Sequence, residues 1–392
     1  MKKLIYLSLV AITIASCQKE EFDPETAFTR IYDSSSGSEG YYPIDVIETS
    51  SGYTILTGQT LDDSDYLGLK LLRVDEEGMF LFQDDLTANY VAPASDMVMI
   101  DSVGYFFAMN PATLDPVLFQ ITDSGYVDTP IGGLEYPLAA NSTSSGELLL
   151  LSYSLTSQTM NLATIDVDGN ITGNAPYDIG AGSDIESYIF NHYTDPERSA
   201  LPFFCGEWTT GSYYFNGVYN YALSLVFTQI GAEPSGVVQG QGFNGGLTAV
   251  MPIQGSEFAL FGYQFNDNFV VANTTLNTGG LSSSINYLET PISEFKSRSN
   301  ADIASWQTTN QTYTIIAAET ESRQIALYFY EASTGTLAGI HKIGYINPYT
   351  LASIKVDSEG NLLILGTTYL SGRFKRVFLT KIPSSDLEDI VN

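Results

Sequence analysis

Short apolar runs alternate with polar turns along almost the whole chain, and the pattern repeats after roughly 45–55 residues. The first unit has four such runs between Ile44 and Leu86, separated by the polar stretches 50–52, 62–65 and 75–78. Short runs of apolar, β-branched and aromatic residues that end at Gly, Ser and Asp are typical of strands joined by tight turns. The unit is therefore predicted to be a sheet of four strands.

Six further copies are weak in sequence identity but clear in pattern, and they cover residues 97–125, 145–170, 201–231, 247–279, 303–335 and 352–382. No segment shows a convincing helical period, so the chain is predicted to be all-β. A four-stranded module repeated seven times favours a seven-bladed β-propeller, in which radial closure protects the strand edges. Six blades, or eight with one copy unrecognised, remain open alternatives.

The two ends of the repeat region complement each other. The last copy lacks a clear fourth strand, and a spare strand lies at Ala27–Tyr32, before the first copy. We expect the N-terminal strand to complete the seventh blade and thereby join the chain ends. Residues 27–392 are then one propeller domain.

The residues of the first repeat resemble those of known propeller repeats. Ser51-Gly52-Tyr53 leads a strand that ends at Gly58, and Leu69-Lys70-Leu71 leads into a hairpin that ends at Gly78. This arrangement resembles a broad class of bacterial propeller repeats. The resemblance covers nearly the whole chain after the N-terminal segment, but it implies the fold and not a function.

The N-terminus has the features of an export signal. Met1-Lys2-Lys3 is basic, Leu4–Ile14 is apolar but too short for a permanent membrane span, and small residues precede Cys17. The segment resembles a bacterial lipoprotein signal, which implies that residues 1–16 are removed and that Cys17 carries lipid. An ordinary signal peptide with a chance cysteine is the alternative.

The residues after Cys17 suggest where the protein faces. Gln18, Lys19, Glu20 and Glu21 resemble the surface-export tag of Bacteroidota lipoproteins, a lysine followed by acidic residues. The resemblance implies an outer-membrane protein that faces the cell exterior, with residues 17–26 as lipidated cysteine and polar tether.

The composition excludes or disfavours several classes of protein. Hydrophobic residues make up 44% of the chain and charged residues 16%, which excludes a disordered protein. The formal net charge of −29 disfavours nucleic-acid binding, because such a surface repels phosphate. Apart from Cys17 the only cysteine is Cys205, which is predicted to be a small buried hydrophobe rather than a reactive thiol.

Candidate chemistry is sparse. The segment Asp166–Asn170 has the spacing of part of a calcium loop, but it lacks the distant Glu, and the same turn recurs in other copies. A structural Asp-Gly turn is the preferred interpretation. His192 and His341 fall in different copies and are predicted to be ordinary loop residues. We predict no catalytic residues, no metal and no cofactor.

Aromatic residues offer a candidate binding face. The repeat register predicts that Trp208–Tyr221 includes the loop between the second and third strands of the fourth blade, where flat aromatic side chains suit a sugar or a protein. The alternative is that Trp208 ends a core strand, Tyr221 begins the next, and the residues between them form an extended hairpin. With two further loops on the same face, the candidate residues are Trp208, Tyr213, Tyr214, Phe215, Tyr219, Tyr188, Tyr193, Tyr345 and Tyr349.

The sequence therefore favours a non-enzymatic binding or interaction module, anchored in the outer membrane by lipid. Its partner would be a protein, a glycan or a peptide, as in an accessory subunit of a SusC/SusD-like nutrient transporter or an envelope assembly. A polysaccharide-active enzyme that uses carboxylates on the propeller face is one alternative. A structural or adhesion protein with a flat face and no pocket is the other.

Overall fold

The computed structural model describes residues 27–33, 40–62, 64–180, 183–194, 202–242, 245–282, 291–344, 346–369 and 375–392. Residues 1–26, which include the predicted signal sequence, Cys17 and the tag residues Gln18–Glu21, lie outside the described residues. Within the described part, no helix is both long and apolar enough to span a membrane.

The described chain is built almost entirely of short strands. These are β1 (Phe28–Tyr32), β2 (Tyr41–Thr49), β3 (Gly52–Leu61), β4 (Ser64–Val74), β5 (Phe80–Asp85), β6 (Val98–Ile100), β7 (Val103–Met109), β8 (Pro116–Thr122), β9 (Gly125–Pro130), β10 (Pro137–Ser142), β11 (Leu148–Ser154), β12 (Thr159–Ile165), β13 (Ile171–Asp178), β14 (Phe204–Thr209), β15 (Ser212–Tyr219), β16 (Ala222–Thr228), β17 (Gly236–Gln241), β18 (Gly245–Gln254), β19 (Glu257–Gln264), β20 (Asp267–Thr275), β21 (Leu281–Ser282), β22 (Ala301–Gln307), β23 (Thr312–Glu319), β24 (Ile325–Glu331), β25 (Leu337–Ile343), β26 (Tyr349–Val356), β27 (Leu362–Thr368) and β28 (Arg376–Ile382).

These strands form seven sheets, which are the blades of a β-propeller. Blades one, two, three and six are consecutive four-stranded meanders, β2–β5, β6–β9, β10–β13 and β22–β25. Blade four consists of β14–β17 and has β21 paired in parallel to its outer strand, whereas blade five has the three strands β18–β20 within the described residues. The predicted seven-bladed all-β fold is confirmed.

The N-terminal strand closes the ring. Blade seven has the order β26, β27, β28, β1, and β1 pairs antiparallel to β28 with Phe28 opposite Lys381 and Tyr32 opposite Val377. The Tyr32 hydroxyl also donates a hydrogen bond to the carbonyl of Gly78, at the turn before the last strand of blade one. The predicted closure is confirmed, and it buries the edge that β28 would otherwise expose.

A single aspartate shapes several of the described blade turns, at Asp75, Asp166 and Asp357. The Asp166 carboxylate accepts hydrogen bonds from the backbone N–H groups of Asp168 and Asn170 (3.1 and 2.8 Å), and Gly169 takes a positive φ of 89°. Hydrogen bonds from Asn170 lower the pKa of Asp166. The Asp357 carboxylate plays the same part in blade seven. This geometry supports the structural interpretation of the Asp-Gly turns.

Two short helices were not expected from the sequence. The helix α1 (Ser183–Thr194) lies between blades three and four, and α2 (Ser384–Val391) ends the chain. α2 buries only Leu387 completely, and α1 buries Ile189 and Tyr193 against neighbouring blades. Each helix has few apolar positions, so its period is too weak to stand out in a chain dominated by strands.

Candidate binding site on the propeller axis

The segment chosen from the sequence as an aromatic loop is a core strand. Residues 212–219 form β15, the second strand of blade four, so most of the segment is strand and only its last two residues belong to the predicted loop. The turn between β14 and β15 lies at Thr209–Ser212, where Gly211 has a φ of 72°. Trp208 therefore ends the first strand of the blade, and the true loop to the third strand is only Asn220–Tyr221.

The position of β15 explains its aromatic content. A middle strand of a blade is covered on both faces by the adjacent blades, so every position can be apolar. Tyr213 and Phe215 pack with blade three, whereas Tyr214 packs with blade five. Phe215 is completely buried, and burial raises the pKa of Tyr214. Tyr213 and Phe215 therefore belong to the core, whereas Tyr214 is buried but also borders the polar cavity along the propeller axis.

The remaining aromatic candidates are divided between core and surface. Trp208 packs its ring against Phe227 and Phe258, and Tyr219 lies against Tyr177 at the other end of the blade. Both are partly buried. Tyr349 begins β26 and packs on Phe378. Tyr345 lies outside the described residues.

Helix α1 carries the other two candidates. Tyr193 is buried, and its hydroxyl donates to the carbonyl of Pro137 at 3.1 Å. Tyr188 is half-buried and lies near Tyr263, whose pKa is raised by burial and, more weakly, by Tyr188. Neither Tyr188 nor Tyr193 is among the described residues that line the cavities at the propeller axis.

The sequence suggested that the two histidines lie in loops, but neither of them does. His192 is buried in α1 with its ring against Tyr193 and Phe203, and His341 lies in β25. Burial lowers the pKa of His341, and the nearby Asp386 opposes that shift. Cys205 is buried in β14, and burial raises its thiol pKa. It is a buried small residue, as predicted.

A polar channel follows the axis of the propeller. Its cavity of about 550 Å³ is lined mainly by the first strands of the blades. Asp45 in blade one accepts the N–H of Met97 from blade two at 2.8 Å, and Asp302 in blade six accepts the N–H of Ile354 from blade seven at 2.8 Å. Each aspartate thus fastens one blade to the next at the axis.

One lysine stands among these carboxylates. Lys355 Nζ lies 3.1 Å from Asp45 Oδ2, and Asp45 is completely buried. Burial disfavours the charge of Lys355, but Asp45, Asp96 and Asp302 outweigh that effect and raise its pKa. Burial also raises the pKa of Asp302, although Lys355 counteracts it. Three described carboxylates, those of Asp45, Asp96 and Asp302, therefore stabilise the ammonium group of Lys355.

The mouth of the channel has the opposite charge. This second cavity, about 190 Å³, lies where the chain enters the first strands of blades one, six and seven, and it shares Ile44, Ala301 and Ala352 with the channel. We call it the axial mouth. Its described lining includes three basic residues and one acidic residue: Lys296, Arg298, Lys375 and Glu319. The formal charge of this described lining is +2, whereas the net charge of the whole protein is −29.

The acidic residue of the axial mouth is already engaged. Glu319 is buried, its Oε2 lies 3.1 Å from Lys296 Nζ, and its Oε1 accepts the N–H of Leu351 at 3.1 Å. Arg298 lies over the ring of Tyr263 and Lys375 over the ring of Tyr42, at 5.5 and 5.6 Å. The basic side chains are therefore held in place by aromatic faces.

A buried polar network shapes the segment that carries two of these bases. Asn268 donates to the carbonyl of Lys296 at 2.8 Å and accepts the N–H of Ser299 at 3.2 Å. Ser299 Oγ donates to the carbonyl of Glu319 at 3.1 Å. Between them Arg298 has a φ of 54°, a left-handed conformation that costs an arginine about 1–2 kcal/mol. The network holds Arg298 in a conformation it would not otherwise favour.

Sequence reasoning missed the axial mouth. Its basic residues come from segments before β22 and β28, far apart in the chain. One signal was available: the chain has only 16 Lys and Arg residues against 45 Asp and Glu, so each exposed base is unusual. The carboxylates of the channel had a signal too, because Asp45, Asp96 and Asp302 recur in the first strands of their repeats or just before them.

Comparison with known proteins gives the following. No protein-family model matches the chain, and no curated protein matches it. Among solved structures, it is similar to the β-propeller domain of the trilobed protease from Pyrococcus furiosus (9% identity, 90% of this chain and 98% of that one, TM-score 0.49). It is also similar to YCF48 bound to D1 peptide (12%, 92% and 96%, 0.48) and to a protein of unknown function from Bacteroides caccae (9%, 89% and 92%, 0.35).

Proposed function

We propose that this protein is a cell-surface lipoprotein that acts as a non-enzymatic binding module, with the axial mouth as its binding site. The observation that carries this proposal is the cavity itself, which gathers three of the chain's few basic residues beside Tyr42 and Tyr263. Concave sites with a few fixed polar groups and apolar walls are the usual form of ligand sites. A flat adhesion face would lack such a cavity.

The channel carboxylates favour binding over catalysis. A polysaccharide-active enzyme needs one carboxyl group to exchange a proton and a second to attack or activate water. Both oxygens of Asp45 and of Asp302 accept backbone N–H groups, and Asp45 is completely buried. Carboxylates committed to such bonds serve to join blades.

The N-terminal residues support the location. The signal-like segment, Cys17 and Gln18–Glu21 together indicate export, lipid attachment and an outward orientation. An outward-facing binding module held by lipid suits an accessory subunit of an outer-membrane nutrient assembly of the SusC/SusD-like type. We therefore propose that the axial mouth presents or receives cargo beside a transporter.

A pull-down tests this proposal. The tagged full-length lipoprotein is recovered from detergent-solubilised membranes of its own cells, and co-purifying proteins are identified by mass spectrometry. We expect a transporter and companion lipoproteins in stoichiometric amounts. Recovery of the protein alone, with Cys17 lipidated, would contradict the subunit role. Absence of lipid on Cys17 would contradict the proposed anchor.

A further inference from the structure

We propose that the outer edge of blade one rests on the membrane that holds the lipid anchor, through the exposed segment Met79–Phe82, which we call the apolar strip. The inference rests on the lipid anchor proposed above and adds the orientation of the propeller. The four side chains are 50%, 53%, 47% and 36% exposed. The other outer strands expose at most two large apolar residues each among the described positions, such as Leu337 and Ile340 of β25. A run of four exposed apolar residues is unfavourable in water, so it indicates a contact surface.

The chain enters the propeller beside the apolar strip. β1 begins at Phe28, and the side chains of Phe28 and Arg30 lie against Gly78, in the turn that leads into the strip. Arg30 Nε also donates a hydrogen bond to the carbonyl of Glu77 at 3.2 Å. Phe28 follows Cys17 by 11 positions, so even a fully extended tether keeps the start of β1 within about 40 Å of the lipid. The apolar strip therefore lies next to the point where the tether joins the propeller.

The strand register places the apolar strip and the axial mouth at opposite ends of blade one. Phe80 pairs with Val74, and Val74 pairs with Tyr53. Tyr53 in turn pairs with Glu48, near the end of β2. Tyr42, which lines the axial mouth, lies near the start of β2, about 20 Å away along the strand. A propeller that rests on the apolar strip therefore turns its axial mouth away from the membrane.

The geometry of the apolar strip favours a lipid surface over a second copy of the chain. Phe80 pairs with Val74 and Phe82 with Arg73, so the two rings point to opposite faces of the blade. The register shift between these pairs disfavours the addition of another strand at this edge. With about 200 Å² for a fully exposed side chain of this size, the strip presents roughly 400 Å², whereas a stable dimer buries about 800 Å² per partner.

Exposed carboxylates limit the depth of insertion. Glu76 and Glu77 precede the apolar strip, and Asp85 follows it. Transfer of a carboxylate into hydrocarbon is unfavourable, so these groups remain in water and only the side chains of the strip enter the lipid. The contact is therefore shallow, about 5–10 Å deep, and it orients a protein whose lipid supplies the anchor.

The experiment places a polarity-sensitive fluorophore on the full-length lipoprotein in phosphatidylcholine vesicles. Phe80→Cys and Phe82→Cys are labelled separately. The lipid on Cys17 and the burial of Cys205 leave the introduced thiol to react. The matched control is Phe265→Cys, because Phe265 is 64% exposed and lies in the turn between β19 and β20, at the end of the propeller that carries the axial mouth. Mass spectrometry of Cys17 and flotation with the vesicles measure the anchor independently of the label.

We expect the emission of labels at positions 80 and 82 to shift to shorter wavelength on the vesicles. A quencher on the lipid chains should reduce it about threefold more than emission from position 265, and aqueous iodide should show the reverse order. If the protein floats but either label at the strip is as accessible to iodide as the control, the proposal is overturned and the anchor stands. Shielding from both quenchers would indicate a second copy of the chain and would also overturn it. Protein that lacks lipid on Cys17 and does not float would contradict the anchor and this inference together.

Discussion

The strand β15 and the axial mouth teach opposite lessons. The sequence suggests β15 as a binding face and does not predict the axial mouth, whereas the structure places β15 in the core and shows a cavity at the axial mouth. β15 is the most aromatic stretch of the chain, yet Tyr213, Tyr214 and Phe215 are buried between blades. The axial mouth draws on Lys296, Arg298 and Lys375, which are unremarkable in the sequence but meet at one cavity. In this propeller, apolar richness marks the middle of a blade, whereas the proposed binding site lies where the first strands converge on the axis.

The first way to break this comparison is to truncate β15. Phe215→Ala removes a completely buried ring, and the free energy of unfolding should fall by about 3–5 kcal/mol in denaturant titration. The matched control is Phe265→Ala, because Phe265 is 64% exposed and should change stability by less than about 0.5 kcal/mol. Equal effects of the two changes would show that β15 is not part of the core.

The second test concerns the blade fastening at the axis. Asp45→Ala removes the carboxylate that accepts the N–H groups of Val46 and Met97 and pairs with Lys355. Hydrogen bonds to a charged group contribute about 1.5–3 kcal/mol, so we expect a loss of that size in chemical denaturation. Asp45→Asn should recover part of it. No recovery, or no loss, would mean that the carboxylate does not join the blades.

The third test asks whether the axial mouth is needed for stability. The change Arg298→Gln/Lys375→Gln alters side chains at the cavity rim, so the free energy of unfolding should stay within about 0.5 kcal/mol of the original protein. Circular dichroism during thermal and denaturant unfolding measures it. A loss comparable with that of Phe215→Ala would make these bases structural and would weaken the contrast between the two regions.

The smallest expected effect is a pH dependence of the free energy of unfolding, which arises from His341, outside both regions. Burial lowers the pKa of His341, so the folded state takes up a proton less readily than the unfolded chain. Stability should therefore increase as the pH rises from the folded pKa toward the unfolded value near 6.5 and be level above it. His341→Gln should flatten this part of the profile. An unchanged slope would assign the dependence to other groups.

Much of the fold was predictable because it is repeated. Each copy supplies similar apolar runs separated by polar turns, and several copies share a turn aspartate, so an error in one blade does not change the predicted number of blades. The closing strand Phe28–Tyr32 was predictable because the last copy lacked a partner. Blade four was misread because its first hairpin turn, Thr209–Ser212, has no aspartate to mark it.

The candidate site could not be predicted in the same way. Lys296 and Lys375 are 79 positions apart in the sequence and approach each other only because blades six and seven adjoin at the axis. The conformation of Arg298 depends on the buried side chains of Asn268 and Ser299, which no local pattern reveals. Radial convergence is a property of the closed ring, so composition and spacing could suggest it only through the scarcity of basic residues.

The most direct test of the axial mouth as a binding site repeats the pull-down with the Arg298→Gln/Lys375→Gln variant of the full-length lipoprotein. We predict that the original protein recovers its partner proteins and that the double variant, although folded, recovers much less of them. Equal recovery with the two proteins would contradict the account.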